Sequence, residues 1–452
     1  MAQKNFNAPL AVITLLFFMW GFITCLNDIL IPYLKGVFDL SYFQANLVQF
    51  AFFGAYFIGS LIYYFVSLKF GDPIGKIGYK KGMLAGLVTA ALACLLFYPA
   101  AQLHSYGLFL SALFCLGLGL TMLQIAANPY VALLGKPETA SSRLNLAQAF
   151  NSFGTTIAPI IGGFLIFQYF FKEGDNADAV KTPYLFLALS FLAVAFIVSR
   201  FRLPEVHVHG DHPEKPAALK FPHLRWGMLA IFCYVGAEVA IGSNLVSFLG
   251  HEAVAGLSEQ AASKYLALYW GGAMTGRFVG ALYLSSGEAK RKLLGSLSIF
   301  GLSYVFISLI TGFSVLEMLP FAGLMMLNFM VFIWGRSVAS KTLSVFALMA
   351  AGLLLIGSHS GGNLALWSII GVGLFNSIMW SNIFTLSIAG LRQHTGQGSS
   401  LLVMMILGGA LIAPAQGLVA DMVGIRLSFL VPVLCYVYLF YFGARGYKIK
   451  PV

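Results

Sequence analysis

At 452 residues, 59% hydrophobic and 10% charged, with a mean hydropathy of +0.85, the chain is excluded from the soluble globular and the disordered classes. A formal charge of +11 does not make it a nucleic-acid binder, because its basic residues are spread between apolar runs rather than gathered in one stripe. The composition is that of a polytopic helical membrane protein whose cations meet an anionic leaflet.

Apolar runs long enough to span a bilayer cover about 8–34, 43–68, 82–103, 106–134, 144–171 and 183–201. The first contains an acid, Asp28, in WGFITCLNDILIPYL (Trp20 to Leu34). A carboxylate at the middle of a membrane helix costs roughly 2.5–3.5 kcal/mol, so it is expected to serve a function. On a helix it shares a face with Gly21, Thr24 and Cys25, with Asn27 beside it and Pro32 a turn further on. That small, polar face is expected to look into a bundle interior or a wet cavity. Only Lys4 precedes the run and no small-residue cleavage site follows it, which predicts a retained helix.

Residues 202–224 carry four prolines and four histidines and cannot span; they read as a cytoplasmic linker. His207, His209, His212 and His223 lack the spacing of a metal site. Eight more runs follow near 226–250, 262–286, 293–313, 317–335, 340–358, 364–390, 399–420 and 427–446, giving fourteen helices with both termini on one side. On that topology 21 of the 27 Lys and Arg residues lie with the termini, five lie opposite (Lys35, Lys172, Lys181, Lys264 and Arg426), and Arg277 falls within a helix. The bias predicts an N-in, C-in orientation. Cys25, Cys94, Cys115, Cys233 and Cys435 sit in apolar runs without paired spacing and read as packing residues.

Internal repeats divide the chain. GTTIAPIIG at 154–162 and GALIAPAQG at 409–417 share G-x-x-I-A-P-x-x-G at a separation of 255, and GLGL at 117–120 matches GVGL at 371–374 at 254. Earlier pairs lie closer: Gly54 and Gly59 match Gly271 and Gly276 at 217, and Gly21 matches Gly236 at 215. The jump predicts an inserted two-helix hairpin at 291–337. The flanking organisation is a six-helix bundle at 1–201, the linker at 202–224, and a second six-helix bundle at 225–290 and 338–452.

Polar residues inside the runs are the candidate machinery. Thr121, Gln124 and Asn128 share a face of the fourth run, and Arg143, Asn145, Gln148, Asn151, Ser152 and Thr155 mark one on the fifth. Each amide could be interhelical glue worth about 1 kcal/mol. Together they suit a polyhydroxylated ligand, whose hydroxyls both donate and accept. The second half adds Glu238, Asn244, Trp270, Asn376, Ser377, Ser381, Asn382 and Thr385, with Tyr234, Trp270 and Trp380 as aromatic faces that a pyranose could stack on. Glu238 and Arg277 read equally as an ion pair, a gate or a transport element.

Eight stretches carry a resemblance: WGFITCLNDILIP, LVQFAFFGAYFIGS, LQIAANPYVALLG, RLNLAQAFNSFGTTIAP, YVGAEVAIGS, YWGGAMTGRFVG, GLFNSIMWSNIFTL and GQGSSLLV. They are similar to the fucose:proton symporter and glucose/galactose transporter family of the major facilitator superfamily, over nearly the whole chain outside the linker and hairpin. The resemblance implies uptake of a monosaccharide with a cation, in a bacterial inner membrane. It places the family's first-helix acid on Asp28 and its fifth-helix sugar-contacting amides on Gln148 and Asn151. A second membrane acid of the fucose branch is Gln124 here, which is closer to the glucose/galactose branch. The family's acid before Gly-Leu is Ala389, and its Phe-Pro-Thr is Trp380, Ser381 and Asn382. The loop GDPIGKIGYKK, Gly71 to Lys81, loosely resembles the superfamily's gating loop.

The expected function is alternating-access symport of a glucose/galactose-like or fucose-like hexose, bound between the two halves and proton-coupled through Asp28. Asn27, Gln124, Asn128, Gln148, Asn151, Glu238, Asn244, Trp270, Asn376 and Asn382 are the candidate sugar contacts, and Asp72, Arg143 and Arg277 the candidate gates. No cofactor, resident metal, enzyme activity or nucleic-acid partner is expected, and the protein is expected to act as a monomer within the bilayer. Sodium held near Asp28 is the alternative coupling ion, and a drug or lipid exporter the alternative class.

Overall fold

The computed structural model describes residues 7–40, 42–163, 178–204 and 218–449. The side chains of Asn27 and Asp28 lie outside the described residues, as do His207, His209 and His212 of the linker. Every regular element among the described residues is helical. In chain order these are α1 (Asn7–Phe38), α2 (Tyr42–Phe70), α3 (Pro73–Ile77), α4 (Tyr79–Leu95), α5 (Phe97–Gln102), α6 (Tyr106–Leu133), α7 (Ala140–Gly163) and α8 (Lys181–Arg200). Then come α9 (Pro222–Gly250), α10 (Glu259–Tyr283), α11 (Ala289–Thr311), α12 (Leu319–Trp334), α13 (Ala339–His359), α14 (Gly362–Asn376) and α15 (Met379–Ile388). The chain ends with α16 (Thr395–Met404), α17 (Gly408–Val423), α18 (Ile425–Ser428) and α19 (Leu430–Tyr441). Eleven helical stretches among the described residues are long and apolar enough to cross a membrane, so this is a multi-pass membrane protein. The polar stripes of α7 and α10 keep both helices out of that set, and α12 is shorter, at 16 residues.

The helices form two compact units. The first comprises Met1–Gly135, Phe150–Ala218 and Leu391–Met404, and the second Lys136–Ala149, Leu219–Gly390 and Met405–Val452. In the first unit α4 packs on α6 and α8, α6 on α2, and α16 on α2 and α6. Small residues let these backbones meet, as expected where lipid tails supply no hydrophobic drive between helices. A Cβ at Gly86 would strike the Gly119 carbonyl oxygen at 2.8 Å, one at Gly119 would strike the Ala90 amide nitrogen at 2.7 Å, and one at Gly117 would strike the Phe52 carbonyl oxygen at 2.7 Å. On α1 and α7, Gly21 faces the backbone of Asn151, and Gly154 that of Phe18 and Phe22.

The second unit repeats this scheme. There α13 packs on α14 and α19, α10 on α14, and α9 on α17 and α19. Gly373 lies against the Tyr269 carbonyl as Gly117 lies against Phe52, while Gly276 meets Leu374 and Ser377 as Gly59 meets Leu118 and Thr121. The contacts therefore relate α6 to α14 by a shift of 256, two more than the GLGL and GVGL strings indicate. At the α9–α17 crossing, Gly408 rather than Gly409 abuts the Phe232 backbone. Among the described residues, α11 lies on α10, and α12 on α14 and α13.

Candidate functional site

The charges that most needed explaining, Glu238 on α9 and Arg277 on α10, meet each other. The Arg277 guanidinium lies 3.2 Å from the Glu238 carboxylate, with side-chain exposures of 8% and 13%. The pair is extended by further bonds. Tyr234, one turn before Glu238, donates its hydroxyl to the same carboxylate oxygen at 2.7 Å, and Arg277 Nη2 donates to that hydroxyl at 3.3 Å. Arg277 Nε donates to the Ser377 carbonyl at 3.0 Å. Ser377 sits where α14 stops at Asn376 and α15 starts at Met379, so the guanidinium satisfies a carbonyl beside the interruption. Attraction alone does not offset the desolvation of two buried charges; the added hydrogen bonds are what make such a pair tolerable.

The network continues through aromatic hydroxyls. Tyr269 donates to the Glu238 backbone carbonyl at 3.3 Å, Asn376 Nδ2 donates to the Tyr269 hydroxyl at 2.7 Å, and the Tyr436 hydroxyl donates to Asn376 Oδ1. The Asn376 amide is thus engaged on both ends by protein groups. Asn382 is engaged likewise: its Nδ2 donates to the Ala339 carbonyl at 3.1 Å, and its Oδ1 accepts from Asn145 at 3.4 Å. Next to it the Ser141 and Thr385 hydroxyls lie 2.6 Å apart, and Ser142 donates to the Ala281 carbonyl. Neutral hydroxyls and amides thus fasten the first turns of α7 to α10 and α15 within the second unit. Arg143 folds back instead, donating to the Lys136 carbonyl at 3.1 Å and to Thr139 at 2.6 Å.

Other amides lack such partners. Gln124 and Asn128 on α6 are buried at 1% and 0% exposure, and no polar atom of either side chain meets a hydrogen-bond partner among the described residues. Gln124 lies beside the hydroxyl of Tyr56, which also neighbours Trp20. On α7, Gln148 Nε2 is buried and unpartnered among the described residues, whereas Asn151 Nδ2 donates to the Phe17 carbonyl at 3.1 Å. Each such buried group forgoes roughly 1–3 kcal/mol until something bonds it.

Asp72 is buried and caps α3, accepting from the Ile74 amide at 3.1 Å and from the Tyr63 hydroxyl. Of the remaining candidates, Asn244 donates to the Ala240 carbonyl of its own helix at 2.9 Å, and half-buried Trp270 packs over Gly242. Asp28 and Asn27 lie on α1, with their side chains outside the described residues.

Sequence reasoning missed Tyr63, Tyr269 and Tyr436, whose rings are indistinguishable from core aromatics until a partner is placed against the hydroxyl. It also missed Gln397 on α16, buried with both amide atoms unpartnered among the described residues. A glutamine between two glycines in a membrane helix was the available signal. The thiols of Cys233 and Cys435, read as packing residues without paired spacing, are neighbours on α9 and α19.

Comparison with known proteins places this architecture. Residues 11–343 match the Major Facilitator Superfamily model. The chain is 45% identical to a glucose/galactose transporter of Brucella abortus, over 99% of this chain and 96% of that one. It is 32% identical to the L-fucose-proton symporter of Escherichia coli, over 98% and 93% of the two chains. A crystal structure of the E. coli fucose:proton symporter superposes with a TM-score of 0.76 at 31% identity, covering 98% of this chain and 99% of that one. These relatives are named as transporters, not enzymes, and their likeness extends over the whole length in which the glycine crossings and the polar network lie. The chain belongs to the Major Facilitator Superfamily, in its family of glucose/galactose transporters and fucose:proton symporters.

Proposed function

We propose that the protein takes up a glucose/galactose-like or fucose-like hexose with a proton, by alternating access, with Asp28 as the proton carrier. The observation that carries the sugar reading is the buried amides of Gln124 and Asn128, neither of whose polar atoms has a partner among the described residues, with the buried, unpartnered Nε2 of Gln148. Sugar hydroxyls donate and accept at once and would satisfy both ends of an amide. Asn151, one turn beyond Gln148, and Asn27 are further candidates for the same role, whereas Asn376 and Asn382 are already engaged by protein groups. Proton coupling is supported by the likeness to L-fucose-proton symporters. Protonation would remove the charge of Asp28 and so the cost of enclosing a carboxylate away from water. Glu238 and Arg277 act as a fixed pair that holds α9, α10 and the α14–α15 interruption together.

The fourteen apolar runs and the basic bias support fourteen crossings with both termini inside. The packing of α13, which matches that of α4, supports α11 and α12 as a hairpin inserted between α10 and α13.

The test is uptake into proteoliposomes of glucose, galactose, fucose, mannose and N-acetylglucosamine, under a proton gradient and separately under a sodium gradient. A hexose should accumulate under the proton gradient alone, and Asp28→Asn should abolish accumulation while leaving counterflow exchange. Accumulation that requires sodium would make Asp28 a metal ligand. Full accumulation by Asp28→Asn would remove it from coupling, and no uptake of any sugar would favour the exporter.

A further inference from the structure

Apart from the transport machinery, three connections of the second unit surround a cavity of about 340 Å³. Its polar lining is His251 after α9, Ser358 and His359 at the end of α13, and Arg426 in the turn between α17 and α19; Val423, Gly424, Ile425 and Leu427 complete it. Among the described residues no carboxylate lines it. Arg426 donates through Nη2 to the Ser360 carbonyl at 2.5 Å, and its Nε is buried without a hydrogen-bond partner among the described residues. The guanidinium is anchored on one side and still has a donor to offer. His251 Nδ1 accepts from the Ala253 amide at 3.2 Å, which in the neutral ring leaves the proton, and hence a donor, on Nε2. His359 Nδ1 is held within 3.0 Å of Ser358 Oγ and of the Leu355 carbonyl, fixing the ring at the cavity edge.

The Arg426 guanidinium and the His251 Nε2–H, without an opposing acid among the described lining residues, offer donors to a tetrahedral oxyanion, while Ser358 Oγ and His359 Nδ1 are turned to the Leu355 carbonyl and shape the cavity edge. Arginine in particular matches phosphate geometry. The surroundings are amphiphilic. Leu355 and Ile356 below His359, and Leu418 and Met422 below the turn, are exposed at 45%, 46%, 66% and 82%, a surface suited to acyl chains. In the proposed orientation this end faces outward, where Arg426 is one of only five basic residues. The general attraction of cations to the cytoplasmic leaflet therefore does not account for it.

We propose that this cavity binds a phosphate group, supplied either as a free oxyanion or as the headgroup of an anionic phospholipid lying along α13 and α17. Binding there would clasp the outer ends of α9, α13 and α17 together.

The test uses the purified full-length protein. In detergent, inorganic phosphate is titrated against chloride at constant ionic strength while the unfolding temperature is followed. In parallel, the protein is extracted from nanodiscs of phosphatidylethanolamine with and without phosphatidylglycerol, and retained lipid is weighed by native mass spectrometry. A saturable rise with phosphate that is lost in Arg426→Gln supports the site with free phosphate as its ligand. Retention of phosphatidylglycerol by the wild type but not by Arg426→Gln, without a phosphate effect, supports it with lipid as the source. Hexose uptake should be unchanged by the substitution in either case. Should Arg426→Gln fail to fold, His251→Leu, at an exposed position, is read the same way. If neither phosphate nor phosphatidylglycerol distinguishes the wild type from the variants, the proposal is wrong.

Discussion

The carboxylate of Asp72 packs directly on Gly396 of α16, so that a Cβ at that glycine would fall on both carboxylate oxygens. The acid that caps α3 and receives the Tyr63 hydroxyl therefore also fits against the first turn of a second helix, within the same unit. If this contact is an inward-side latch, it can be loosened without touching the candidate amides of α6 and α7. Gly396→Ala should push Asp72 away at a cost of about 1–3 kcal/mol, the usual range for overpacking. Cysteine labelling from the cytoplasmic side should then rise and net uptake should fall. Tyr63→Phe should produce the same change in labelling at about 1 kcal/mol. Unchanged labelling in both variants would remove Asp72 from gating.

A second prediction concerns the buried pair. Glu238→Gln leaves the Arg277 guanidinium buried without its counter-charge, which typically costs about 3–5 kcal/mol. The variant should lose monodisperse expression or show a clearly lower unfolding temperature. The double variant Glu238→Leu with Arg277→Met should recover stability, since apolar replacement of both partners removes the desolvation cost. If the double variant also transports sugar at the wild-type rate, the network is a clamp and takes no part in turnover. Loss of uptake in a stable double variant would return Glu238 and Arg277 to the transport cycle.

Much of this organisation was legible in the residues, and the parts that were not share a cause. Apolar runs report bilayer thickness, and glycine strings report close crossings, so an all-helical, multi-pass fold could be read directly. The true register of the repeat could not, because GLGL matches GVGL better than it matches GLFN two residues further on, the register at which Gly117 and Gly373 actually touch their partners. Asn376 and Gln124 look equivalent in sequence. Only placement reveals that Tyr269 and Tyr436 engage the first, while the second has no partner among the described residues. Polarity of a membrane residue can be read from sequence; whether the protein itself satisfies that polarity is a tertiary property.

The thiols of Cys233 and Cys435 give a third test, of the packing of α9 against α19. Mild oxidation with copper–phenanthroline should join them, the thiols losing two hydrogens as the oxidant takes two electrons. Proteolysis with mass spectrometry should recover the linked peptides, and Cys233→Ser should abolish the product. Because both helices belong to the second unit, the linked protein should still transport. Failure to cross-link would mean that the two helices do not hold this register in the membrane.

The last prediction concerns Gln124, where the fucose branch has an acid by resemblance and this chain has a neutral amide. The site is buried, with Tyr56 alongside and no hydrogen-bond partner for the amide among the described residues. A carboxylate introduced by Gln124→Glu would be disfavoured in its charged form by burial, so its pKa should rise above that of an ordinary glutamate. Below that raised pKa the side chain is a neutral acid, nearly isosteric with glutamine, and uptake should approach the wild-type level. Above it, turnover must either carry a buried charge or wait for a proton, so uptake should fall more steeply with rising external pH than in the wild type. Measuring initial hexose uptake in the two proteins from acidic to mildly alkaline pH checks this. A steeper alkaline loss in Gln124→Glu would show that one amide separates a singly from a doubly proton-dependent carrier. Superimposable profiles would mean that Gln124 lies outside the region enclosed during transport.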